Sequence, residues 1–174
     1  ENSNLMFIEN DAFETEKWST QTTTNKLSEI LLPKKLRLRP SSYNFVLGTY
    51  LSKIEIMDID DTFLSYTNNM LYANRQETSL VRALPKSDGS NVLEDVVAEN
   101  VTSVYDYAFF NCETVKKIGF GGGLVEYGLG KGVFYNSSVE IVDLSRCSML
   151  EEIKENTFSK CKNLTEIIFP IDGN

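Results

Sequence analysis

Histidine is missing from all 174 residues. That one absence removes the Ser-His-Asp and Cys-His arrangements of nucleophilic catalysis, the usual general base and the commonest transition-metal ligand. Carboxylates could still carry acid–base chemistry, but the 25 Asp and Glu are scattered along the chain, and a catalytic site needs convergence. No catalytic residue is assigned, and the chain is expected not to be an enzyme. Basic residues are also short, since 17 Lys and Arg leave a formal net charge of −8. Nucleic acid and anionic lipid both reward clustered basic charge, so neither is an expected partner. The one basic cluster, Lys34, Lys35, Arg37 and Arg39, reads as an exposed loop.

Cysteine is sparse too. Cys112, Cys147 and Cys161 form no C-x-x-C pair, and without histidine they make no metal site, so no metal or cofactor is expected. No run of 18 apolar residues occurs, and no membrane span is expected. The opening stretch ENSNLMFIEN has neither the basic nor the apolar region of a signal peptide.

What the chain has instead is a repeat. Residues 101–120, VTSVYDYAFFNCETVKKIGF, return at 150–169 as LEEIKENTFSKCKNLTEIIF. Counted from Val104, the residues Phe109, Cys112, Val115, Ile118 and Phe120 stand at offsets of 5, 8, 11, 14 and 16. Counted from Ile153, the residues Phe158, Cys161, Leu164, Ile167 and Phe169 stand at the same offsets. A third copy lies between them, Leu129, Phe134, Ser137, Val139, Val142 and Leu144, with one residue deleted. Val115, Val139 and Leu164 therefore recur at steps of 24 and 25 residues, inside the repeat range of about 20–29 residues for coils rich in leucine. The L-x-x-I-x-F/L kernel reads as a short strand with alternating inward residues. The A/T-F-x-x-C unit beside it reads as a return turn whose ring plugs the core between coils. No coil can bury its apolar face alone, so each needs neighbours.

The series I-x-x-x-A/T-F-x-x-C-x-x-L-x-x-I-x-F/L resembles the BspA-like leucine-rich-repeat family of surface and secreted proteins. The resemblance covers most of the chain, with gaps between residues 14 and 26 and between 58 and 100. It implies an α/β fold: a right-handed solenoid with a parallel sheet on one face and short helical or irregular return segments. It further implies an extracellular or cell-surface place, and adhesion or protein binding, with a host or matrix protein as partner, rather than catalysis.

In chain order, strands are predicted at 27–32, 51–56, 115–120, 139–144 and 164–169. Phe45 takes the aromatic plug position in the first coils, and residues 14–26 form a longer loop. Two apolar runs, Met70 to Tyr72 and Leu80 to Leu84, flank a polar turn, which predicts a β-hairpin insert. Asp58, Asp60 and Asp61 lack the glycine and terminal glutamate of a calcium loop. Seven of the ten glycines fall between Gly119 and Gly132. Position 125 is valine where a Walker glycine should stand, so turns between coils explain them better than a nucleotide loop. Cys112 and Cys161 are expected two coils apart, about 10 Å, too far for a disulfide, and all three thiols are expected as small buried apolar groups. The sequons at Asn100, Asn136 and Asn163 should be exposed.

The chain is expected to form a single domain, 1–174, from a longer repeat array: repeats at 1–57, a hairpin insert and connection at 58–100, and regular repeats at 101–174. Side chains pointing off the sheet supply the candidate partner-binding residues Glu29, Lys53, Glu55, Lys117, Ile141, Asp143, Glu166 and Ile168, with Leu31 and Gly119 beside them. None of these positions is aromatic, which favours a protein partner. The alternative is a carbohydrate-binding or spacer repeat domain of a larger multidomain surface protein.

Overall fold

The computed structural model describes residues 5–8, 27–38, 50–57, 62–86, 91–125 and 128–171. Phe45, residues 14–26 and Asp58, Asp60 and Asp61, for which the sequence sets expectations, lie outside them. The described chain is a β-solenoid of about 5 turns. Its strands are β1 (Glu29–Leu32), β2 (Lys53–Ile56), β3 (Ser65–Thr67), β4 (Met70–Tyr72), β5 (Ser79–Ala83), β6 (Val96–Ala98), β7 (Ser103–Val104), β8 (Lys117–Phe120), β9 (Ile141–Asp143) and β10 (Glu166–Ile168). Five of these, β1, β2, β8, β9 and β10, fall inside the five predicted ranges. Period-two alternation explains them: Ile118 and Val142 are buried and pair across parallel strands, while Lys117 and Ile141 beside them reach solvent.

Two expectations need correction. The return segments contain no helix among the described residues; 106–111, 131–136 and 155–160 are turns. In each, two residues adopt positive φ: Tyr107 and Asn111, Gly132 and Asn136, Asn156 and Lys160. A left-handed residue ends a helical turn instead of propagating it. The N–H groups then serve the next coil: Tyr107 donates to Lys131 O (2.9 Å), Phe109 to Val133 O (2.8 Å) and Asn111 to Tyr135 O (3.2 Å). One coil on, Gly132 donates to Glu155 O (3.0 Å), Phe134 to Thr157 O (2.9 Å) and Asn136 to Ser159 O (2.8 Å).

The second correction concerns the single parallel sheet. The described strands form three sheets, β1-β2, β3-β4-β5-β7 and β6-β8-β9-β10. A coil has a second extended stretch before its return turn, where Leu80 of β5 pairs in parallel with Val104 of β7 and Val104 bridges to Leu129. The predicted hairpin is present, with β4 antiparallel to β5. A further strand, β3, joins β4 through Asn68 and Asn69, both at positive φ (47° and 57°), the conformation of a two-residue type I′ turn. Strand β4 is a wall between two cores. Met70 and Tyr72 face the larger one, with Phe109, Ile118, Phe134 and Val142. Leu71 faces the other, with Leu32, Leu51, Ile54 and Leu84.

Inside the larger core the aromatic plugs stack as expected. Phe109 and Phe134 lie 4.9 Å apart, and Phe134 and Phe158 5.6 Å apart, nearly parallel. All three cysteines are free; Cys112 and Cys147 are buried and Cys161 is half-buried. Burial pushes the Cys147 thiol up to about 11 and raises Cys112 too, so neither is a ready nucleophile. Asn100, Asn136 and Asn163 are exposed.

Candidate functional site

The four-stranded parallel sheet offers two outward rows. Register places Lys117 opposite Ile141 and Ile141 opposite Glu166. It places Val97 opposite Gly119, Gly119 opposite Asp143 and Asp143 opposite Ile168. Five of the eight predicted residues, Lys117, Ile141, Asp143, Glu166 and Ile168, therefore share one hydrogen-bonded face. The other three, Glu29, Lys53 and Glu55, lie on the separate β1-β2 sheet, where they line a shallow depression with Ile30 and Leu31. Asp95 and Val97 were missed, although Leu93, Val96 and Ala98 carry the same L-x-x-V-x-A kernel. Val97 is 46% exposed and extends the apolar part of the face.

Charge on the larger face is arranged in pairs between coils. Lys117 Nζ donates to Asp95 Oδ2 at 2.7 Å, and this hydrogen bond holds its ammonium above the usual lysine range. Arg146 Nη1 reaches both carboxylate oxygens of Glu99 at 3.0 Å, spanning the glycine corner of the intervening coil. That corner is tight, because a Cβ on Gly121 would stand 2.0 Å from the Glu99 carbonyl oxygen. Asp143 accepts from the Ser145 N–H at 2.9 Å; hydrogen bonding to the Ser145 side chain first, and then to this N–H, keeps its carboxyl below the usual range. On the smaller sheet Lys53 lies 2.7 Å from Glu55 and 3.9 Å from Glu29; the Glu55 hydrogen bond contributes most to raising its pKa.

Chemically, this is a surface of charged and apolar side chains set by the strand register. Among the described residues no group of three His, Cys, Asp or Glu side chains could hold a metal ion. The outward rows carry no aromatic ring; Phe110 and Tyr135, at the return turns, stack on each other at 5.8 Å.

Residues 89–173 match the family model described as BspA type leucine rich repeat region, in six copies. Among solved structures, a leucine rich cell surface protein from Faecalibacterium prausnitzii A2-165 is 17% identical with a TM-score of 0.58, over 98% of this chain and 52% of that one. A leucine-rich repeat protein from Eubacterium ventriosum ATCC 27560 is 16% identical with a TM-score of 0.43, over 82% of this chain and 49% of that one. This chain thus spans about half the length of either. No curated protein matches it.

Proposed function

With residues 89–173 belonging to the BspA-type leucine-rich repeats, we propose that this chain is a non-enzymatic, extracellular or cell-surface module that binds a protein, in adhesion to host or matrix proteins. The observation that carries the proposal is the continuous outward face of β6, β8, β9 and β10, where Val97, Ile141 and Ile168 stand among charged residues. Each coil adds one row to a rigid platform, and solenoids recognise macromolecules on such platforms. Apolar groups ringed by polar ones are where binding energy concentrates. The fold it shares with a named cell surface protein supports the location. The same reading takes 1–174 as one repeat domain of a longer array.

The test is capture from extracellular-matrix and serum proteins, run beside a glycan array. A variant with Lys53→Glu, Lys117→Glu, Ile141→Asp and Ile168→Asp should fold normally and lose the captured protein. Unchanged capture by that variant would place recognition elsewhere, and binding confined to glycans would favour the carbohydrate reading.

A further inference from the structure

The cations of the larger sheet face are already committed, and this points to the chemistry of what binds there. Lys117 is held by Asp95 and Arg146 by Glu99. These are the two cations close enough to act on Asp143. No lysine or arginine forms an ion pair with Asp143 or with the exposed Glu166 among the described residues. Lys117 acts through space on both Asp143 and Glu166 while paired with Asp95, so the face carries two carboxylates outside any ion pair, beside Ile141 and Ile168.

Their spacing is informative. Asp143 pairs with Ile168 and Glu166 with Ile141, so the two carboxylates occupy diagonal positions on neighbouring strands, about 7–8 Å apart. Side chains at alternate positions of an extended peptide project from the same side about 7 Å apart. Lysine and arginine also bury their methylene stems against apolar surface while the charged head reaches out, and Ile141 and Ile168 provide that surface.

Resting on the sheet-face reading above, we infer that the partner presents an extended segment with Lys or Arg at alternate positions, its two heads meeting Asp143 and Glu166. The intervening residue points away from the sheet, so its identity matters little.

The test follows backbone amide signals of the full chain by NMR while capped peptides of sequence GKAKG and GKKAG are added. The two have the same charge and differ only in spacing. GKAKG should move the signals of 141–143 and 166–168 and bind about threefold more tightly than GKKAG, as expected for two exposed ion pairs against one. Asp143→Asn with Glu166→Gln, which removes both pairs, should weaken GKAKG about ninefold. Glu151→Gln with Glu152→Gln removes equal charge from two exposed residues nearby and should leave binding unchanged. Equal binding of the two peptides, or equal loss in the two double variants, overturns the inference in favour of bulk attraction to an acidic protein. A captured partner lost to the quadruple substitution but indifferent to Asp143→Asn with Glu166→Gln overturns the basic segment and leaves the sheet face standing; indifference to both overturns both.

Discussion

Phe134 in the regular coils and Arg82 in the hairpin are both nearly inaccessible, at 0% and 3% exposure, yet their surroundings treat them differently. Phe134 sits between two copies of itself, Phe109 and Phe158, and its N–H continues a ladder that the coil before it also uses. Arg82 occurs once. Its Nη1 donates to Tyr107 O at 3.0 Å, while Nε and Nη2 have no partner. Burial lowers its pKa to about 10, the direction expected when a charge leaves water. In the coils, one solution to burial and hydrogen bonding is copied, so each new unit inherits it. The hairpin joins two cores and has to solve the same problem group by group, and one group is left short.

The comparison can be broken most directly in the coils. Gly121→Ala forces a backbone shift against the Glu99 carbonyl, and denaturant unfolding should show a loss of about 5 kcal/mol, in the range reserved for severe backbone conflicts. Phe134→Ala comes next, at about 4 kcal/mol for a fully buried ring. Phe158 performs the same role but is only half-buried, so Phe158→Ala should cost about 2 kcal/mol. Equal losses at the two positions would mean that the stack is not what stabilises the coils. In the hairpin the sign should reverse: Arg82→Met keeps the volume and removes the orphaned donors, and should stabilise by about 1 kcal/mol. A marked destabilisation instead would show that its carbonyl bonds outweigh the cost of burying the charge.

The last effect vanishes at neutral pH. Tyr72 and Tyr105 lie on opposite sides of the β4 wall, and burial raises both phenols, Tyr105 to about 12. Below about pH 10 the phenols are neutral in both folded and unfolded chains, so they add no pH dependence. Between about 10 and 12 the unfolded chain releases protons that the folded one keeps, and stability should fall as pH rises. Tyr105→Phe should flatten that fall, measured as the slope of unfolding free energy against pH.

The strands of the regular coils were legible because Val115, Ile118 and Phe120 have counterparts at fixed steps, and burial requires the alternation they show. Strand β6 carried the same kernel in Leu93, Val96 and Ala98, but no aromatic-x-x-Cys turn precedes it to mark the coil. Asp95 and Val97 were lost with it, and with them one end of the candidate face. The turn at Asp106 to Asn111 reads equally well as one turn of helix; only the left-handed backbone at Tyr107 and Asn111 settles it, and neither residue type requires that conformation. The double role of β5 was hidden because Leu80 belongs both to a hairpin signal and to the step of 24 residues that ends at Val104. Arginine in a strand usually marks a solvent face, so the burial of Arg82 was not legible.

The ladder of turn N–H groups has a sense. Tyr107, Phe109 and Asn111 give to the coil that follows, and Gly132, Phe134 and Asn136 repeat the gift in the same direction. A coil inserted upside down would set donor against donor, whereas one inserted upright finds every acceptor waiting. Duplication or loss of a whole unit therefore leaves each remaining contact intact, while a partial insertion breaks the register of everything beyond it. A stack of this kind can change its length in evolution by whole steps, without inventing a new interface each time.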